Sequence, residues 1–364
     1  DRISKLTNTI NAKEVWMVTK IDRRDFIISG SAAIAGASLA ADPRLGHAQG
    51  TGNKSKVVEI TGKDAISGNR KLNQPVVEKM LAEGMKALAK SDNPWAKFVG
   101  PNDKVGLKIN CLGRPLVVTH HELVTAVAKQ LKAAGVKENN IIVWDRFEGH
   151  MTDGKYKMNA SANGVRYMAT ETSSDKIGRY DPKTVYKSEL DRPDRRDEKW
   201  GVDSPVSKIF LEDCTKIINM AVLKDHGRAG ATLCLKIIAY GITSNNSRFH
   251  GRSHIDGFIA DVCAMKTVKD KVVLHIVDGI EGCFDNGPLP RDLGSIFAPK
   301  KLWLGTDPVA LDSVALAVIE AKRKEKGLPP LQAIGRPAAH IAASAAKGLG
   351  NADLAKIRVK KISV

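Results

Sequence analysis

Aromatic residues make up only 5% of this chain. Binding to single-stranded nucleic acid leans on aromatic stacking platforms, and neither such a platform nor a recognisable nucleic-acid motif occurs here. Cysteine is scarce as well: Cys111, Cys214, Cys234, Cys263 and Cys283 stand far apart with no CxxC pair. Zinc knuckles and integral iron–sulfur sites draw on clustered cysteines, so no integral iron–sulfur motif is encoded. A phosphate-binding loop needs a Gly-Lys-Ser/Thr ending, and a dinucleotide site needs GxGxxG at a strand-to-helix turn; both are missing. The mild apolar stretch from Ile27 to Ala41 is too short and too rich in Ala, Gly and Ser for an ordinary membrane span.

Positive charge is plentiful. The 364 residues carry a formal net charge of +17, of which residues 1–50 supply +2, leaving +15 (17 − 2) on the rest. A basic body attracts anions. Nucleic acid, anionic lipid and small anions are all candidates; without aromatic platforms nucleic acid is the weakest, and a small anionic ligand is the expected partner. A hydrophobic content of 43% is ample for a core, and the length suits one large α/β domain.

The N-terminal region has its own logic. Arg23 and Arg24 precede Phe26 and the mild apolar stretch, and Gly46-His47-Ala48 offers small residues for cleavage before Gln49. Residues 17–48 resemble a twin-arginine (Tat) signal peptide. Residues 1–16 fit no signal n-region and read as an upstream leader, with translation beginning at Met17. The Tat translocase exports folded proteins, commonly ones that have acquired a cofactor, so a periplasmic or otherwise exported product is expected.

The domain is expected over residues 56–364. Val57–Ile60 reads as a strand and Pro75–Lys90 as a helix, with apolar residues at helical spacing and Pro75 in its first turn. Val105–Ile109 is a short buried strand. Thr119 can cap a helix over Glu122–Ala134 that Gly135 ends, and Ile141–Trp144 is the next strand. Strand, helix and strand at this spacing describe a βαβ unit, hence a mostly parallel central sheet flanked by helices. Residues 147–205 form a polar insertion, either solvated or a lid, with a strand expected near Val165–Ala169. Further strands are expected at Ile217–Leu223, Val272–Val277, Leu302–Gly305 and Ile357–Val364. Helices are expected at Ile255–Met265, Val309–Lys324 and Ala338–Lys347.

Several of these strands end on polar groups. Val105–Ile109 embeds Lys108 and leads to Asn110, and Ile141–Trp144 leads to Asp145. Ile217–Leu223 leads to Lys224 and His226, Val272–Val277 to Asp278, and Leu302–Gly305 to Asp307. In a parallel sheet the carboxyl ends share one edge, so these groups are expected to converge. Lys236 sits inside the apolar run LCLKIIAYGI and is expected to be buried, either as a base or nucleophile of lowered pKa or paired with Asp278 or Asp312. Lys108, Lys224, Lys236 and His226 are the candidate catalytic groups. Asn110, His250, Arg252, Asp278 and Asp307 are candidate ligand contacts. His226, His250 and His254, with a carboxylate, form a candidate site for a divalent metal ion. The same histidines also suit proton transfer or anion binding. Asp307-Pro308 suits a helix start, and His120 and His121 suit capping or surface positions.

Taken in order, several segments resemble the family called DUF362 over about residues 56–320. They are Lys108-Ile109-Asn110, Lys224-Asp225-His226 with Thr232 and Lys236, His250, Asp278-Gly279-Ile280-Glu281-Gly282, Gly287-Pro288 and the run from Gly305 to Asp312. The family is named for having no established general function. Some members are joined to ferredoxin-like iron–sulfur domains and others carry export signals; this chain lacks the clustered cysteines of the fused type. Two functions stand open. One is an enzyme or cofactor-binding protein handling a small anionic ligand at a Lys/His/Asp pocket, with or without a metal. The other is a non-catalytic accessory or binding protein of a periplasmic redox system, with a redox partner protein.

Overall fold

The computed structural model describes residues 54–251 and 254–364. The expected signal peptide, the leader before it and Arg252 lie outside the described residues.

In chain order the first elements are β1 (Ser55–Thr61), α1 (Gln74–Ala89), β2 (Val105–Lys108), α2 (His121–Ala133), β3 (Ile141–Phe147), α3 (Glu148–Asp153), β4 (Arg166–Glu171), β5 (Tyr180–Lys187) and β6 (Asp203–Ser207). There follow β7 (Lys216–His226), β8 (Gly230–Ala231), α4 (Leu233–Ile242), α5 (Ile255–Ala264), α6 (Lys266–Lys271), β9 (Val272–Cys283), β10 (Ile296–Phe297), β11 (Lys301–Gly305), α7 (Pro308–Glu325), α8 (Ala339–Ala346) and β12 (Ile357–Ser363).

A ten-stranded sheet runs β12-β1-β11-β9-β7-β2-β3-β4, with β10 added on β9 and β8 on β7. The pairs β9–β7, β7–β2, β2–β3, β3–β4 and β1–β12 are parallel, whereas β11 is antiparallel to both β1 and β9. The sheet is therefore mostly parallel, as its near-continuous apolar strands require when helices cover both faces.

Alternation along β7 shows the two faces. Ile218 and Met220 pack with Val77, Met80 and Leu81 of α1 and Leu123 and Val127 of α2. Ile217 joins Leu235, Ile238 and Ile259 of α4 and α5, while Ala221 and Leu223 join Leu311 and Ala315 of α7. Each fully buried Leu, Ile or Val contributes about 1.5–3 kcal/mol, so both faces anchor the sheet.

Several boundaries differ from expectation, and β3 and β7 run past Trp144 and Leu223 to Phe147 and His226. Thr119 does not cap α2: the N-cap position is His120, and the Thr119 hydroxyl donates 2.9 Å to the Met220 carbonyl instead. β9 does not stop at Asp278 but runs on to Cys283. A buried carboxylate can sit inside a strand where a neighbouring element supplies its partner, here His120.

Residues 147–205 are ordered. They supply α3, the sheet strand β4 and a separate antiparallel pair, β5–β6. The insertion grips the 243–250 segment through a fully buried guanidinium. Arg248 pairs with Asp191 and donates to the carbonyls of Ser188 (2.6 Å), Val202 (2.6 Å) and Asn245 (3.0 Å).

Candidate functional site

The carboxyl ends of β2 and β3 meet in a buried ion pair. The Lys108 ammonium donates to Asp145 Oδ1 and to the Ile109 carbonyl, each at 2.7 Å. Asp145 also accepts the backbone N–H of Cys111 and of Arg146, each at 2.8 Å. Burial alone would raise the Asp145 pKa, but Lys108 and these amides hold it below the ordinary value. Gly241 lets α4 pass over this pair: a Cβ there would come within 2.4 Å of Lys108 Cε.

One strand over, the fully buried Lys224 donates to Asn110 Oδ1. Asn110 is positioned by Thr119, whose hydroxyl accepts its backbone N–H at 2.9 Å. Burial pushes Lys224 down to about 8, with Asp145 opposing the shift.

Lys236 faces the same region from α4 and is only 4% exposed. Its ammonium lies 3.9 Å from the Tyr240 ring centroid and forms no hydrogen bond or ion pair among the described residues. Burial, reinforced by Lys224, lowers its pKa to about 7. The expected pairing with Asp278 or Asp312 does not form. Asp312 instead accepts the backbone N–H of Cys234 (2.7 Å) and Leu235 (3.0 Å), satisfying the first turn of α4, and burial raises it to about 7.

His226 and His250 complete the cluster. His226 Nδ1 accepts the N–H groups of Arg228 and Ala229, each at 3.1 Å, which assigns the proton to Nε2. The His250 ring stacks 6.1 Å from His226 and lies 4.4 Å from Tyr240. Burial first, then the charges of Lys236 and Arg228, push His250 down to about 3; burial and Lys236 also lower His226. Both rings are neutral near pH 7.

The expected metal centre of His226, His250 and His254 is not assembled: among the described residues no three His, Cys, Asp or Glu side chains are grouped to hold a metal ion. His226 spends one nitrogen on its own turn, and His254 sits at the N-terminus of α5. The ring pair His226–His250 also faces Lys236, Lys224, Arg228 and Arg146, whose charges repel a cation.

Asp278 and Asp307 stand apart from this cluster. Asp278 accepts the His120 backbone N–H at 2.8 Å and its Nδ1 at 2.9 Å. Glu281 joins them 3.6 Å from His120 Nε2 and pairs with Arg70 at 2.9 Å. Burial opposes protonation of His120, but the two carboxylates prevail and raise it to about 10. This network balances its own charge.

Asp307 follows β11, the reversed strand. Gly305 pairs with His275 and Leu302 with Asp278, so Asp307 emerges at the edge where β9 begins, not where it delivers Asp278. There it caps α7, accepting the Ala310 N–H (2.8 Å), the Ser55 hydroxyl (2.6 Å) and the Asn351 N–H (3.0 Å). The expected convergence thus holds for Lys108, Asn110, Asp145, Lys224 and His226, and fails for Asp307.

Residues not singled out in the sequence also belong here. Arg146 bonds Glu171 at 2.7 Å and Asn246 at 2.8 Å, tying β3 to the segment before His250. Arg228 donates to the His250 carbonyl. His340 comes from α8 and is fully buried beside Lys236 and His226. The position of Arg146 directly after a strand-end carboxylate was a usable signal; His340, far along the chain in an alanine-rich helix, offered none.

A family model described as a domain of unknown function (DUF362) matches residues 105–317. That is more than half of the chain, and the chain belongs to this family. No curated protein matches. A crystal structure of a Thermotoga maritima protein is similar at 13% identity and a TM-score of 0.35, over 60% of this chain and 53% of that one. The chain thus spans about half the length of that protein.

Proposed function

Starting from membership of DUF362, we propose that this protein binds or transforms a small anion, a carboxylate or phosphate, at the Lys224–Lys236–His226–His250 pocket. One observation carries the reading. Asp145 is spent on Lys108, so Lys224 and Lys236 are buried lysines with no carboxylate partner among the described residues. A buried charge is costly until it is paired, and an anionic ligand is the pairing partner. Asn110 orients one ammonium, and the neutral histidines add hydrogen-bonding groups without adding charge. Arg252 follows His250 in the chain and is a further candidate contact.

The twin-arginine motif at Arg23 and Arg24 supports action after export through the Tat translocase, in the periplasm or beyond. There a redox partner protein remains a candidate associate. A cation at the histidines would need the lysines to deprotonate first, which places metal binding second to anion binding.

The test is thermal unfolding of the full chain against oxalate, phosphate and sulfate at pH 7. Saturating oxalate or phosphate should raise Tm in wild type and not in Lys224→Met. If no anion shifts Tm, the pocket reading fails, and the non-catalytic accessory role becomes the better account.

A further inference from the structure

Lys236 combines three features that a mere anion contact does not need. It is buried on an apolar helix, packed on the Tyr240 ring, and free of any hydrogen bond or ion pair among the described residues. Lys224, by contrast, is fixed by Asn110. A second cation nearby favours the neutral amine at Lys236, and a desolvated neutral lysine is a nucleophile. The Tyr240 side chain that holds this amine carries a buried hydroxyl with no hydrogen-bond partner in the described structure, and so does Thr232 at the N-terminus of the same helix. Native interiors leave few such groups unpaired, so unpaired hydroxyls on the helix that carries this amine point to something that uses them.

We infer that Lys236 is an imine-forming nucleophile for a small carboxylate bearing an adjacent carbonyl, that is, a 2-oxo acid. This inference rests on the anion pocket proposed above. The carboxylate pairs with Lys224. The Lys236 Nζ lone pair attacks the carbonyl carbon, forming a C–N bond as the C=O π pair moves onto oxygen, which takes one proton from the amine and a second from solvent. One water then leaves and gives the protonated imine. Loss of a proton from the neighbouring carbon to the neutral His250 ring turns that C–H pair into a C=C bond, while the C=N π pair moves onto nitrogen and yields the enamine. The His250 ring is neutral near pH 7 and can accept it, whereas His226 Nδ1 is already taken by the Arg228 and Ala229 N–H groups. No oxidant or reductant is needed, and reprotonation returns the oxo acid.

The experiment uses the full chain with pyruvate and glyoxylate as probes, cyanoborohydride to trap imines, and peptide mapping by mass spectrometry. At pH 7 a reduced adduct should form at Lys236 at least tenfold faster than at any exposed lysine. It should slow severalfold in Lys224→Met, which keeps the amine. Exchange of the pyruvate methyl protons in deuterium oxide should be catalysed by wild type and lost in Lys236→Arg. Because the adduct is mapped in wild type, the inference does not depend on that variant folding. Oxalate stabilisation without a Lys236 adduct overturns the imine and leaves the anion pocket standing. Neither stabilisation nor adduct removes both.

Discussion

The Lys108 ammonium lies 2.7 Å from the Asp145 carboxylate, with both side chains buried at the ends of adjacent parallel strands. This pair decides the charge balance of the pocket. Asp145 takes a hydrogen bond from Lys108 and two more from backbone amides, so it has little left for Lys224 and nothing for Lys236. The remaining lysines are an uncompensated positive centre inside a folded core.

Asp145→Asn should therefore destabilise the protein by about 3–5 kcal/mol, because it strands the Lys108 charge in a dry site. Urea unfolding monitored by circular dichroism would measure this. Removing both partners, as Lys108→Met with Asp145→Leu, should recover much of the loss, since no unpaired charge remains.

The pH dependence of stability isolates Lys236. Its folded pKa of about 7 lies below the ordinary value of 10.5. Below pH 7 both folded and unfolded chains carry the proton, and the burial penalty is fully present. Between about 7 and 10.5 only the unfolded chain holds it, so stability rises with pH, approaching about 1.4 kcal/mol per unit. Above 10.5 neither is protonated and the penalty is gone. Lys224, facing it from β7, shifts the same way to about 8 and contributes over a narrower range. Relative to wild type, Lys236→Met should gain stability most at low pH, and the gain should fade as pH rises through that window. Paired urea titrations from pH 6 to 10 would show a flat difference if Lys236 were not desolvated.

How much of this was legible in the sequence depended on whether the cause was local. Helix α1 and strand β2 could be read because apolar period and proline placement act within a few residues, whereas the apolar run carrying Lys236 was read as buried but not as a helix. The gathering of Lys108, Asn110, Asp145 and Lys224 followed from one rule about parallel strand ends. The direction of β11 could not be read: it is set by pairing with β1, nearly 250 residues earlier, and it carried Asp307 to the opposite edge. Asp278 looked like a strand end because its partner, His120, approaches from another element. The histidine trio failed for a geometric reason, since a turn consumed one nitrogen of His226.

Arg248 gives the insertion its mechanical role. It reaches Asp191, Ser188 and Val202 from a position two residues before His250. Arg248→Met should cost about 1–3 kcal/mol for each buried or part-buried carbonyl that loses its donor, those of Ser188, Val202 and Asn245, while Asp191 keeps its pair with Arg196 at 3.0 Å. It should also accelerate hydrogen exchange at residues 188–204 and 243–250 together, while β2 and β3 keep their protection. Faster exchange confined to one of the two segments would mean that they are not clamped to each other.

The central claim is that buried, uncompensated lysines await an anion, and proton linkage tests it most directly. Isothermal titration of oxalate at pH 8, repeated in buffers of different ionisation enthalpy, reports the protons taken up on binding. An anion beside Lys236 and Lys224 raises both pKa values, so binding should draw up a substantial fraction of a proton, and most of that uptake should vanish in Lys236→Met. Binding with no proton uptake, or uptake unchanged in that variant, would contradict the account.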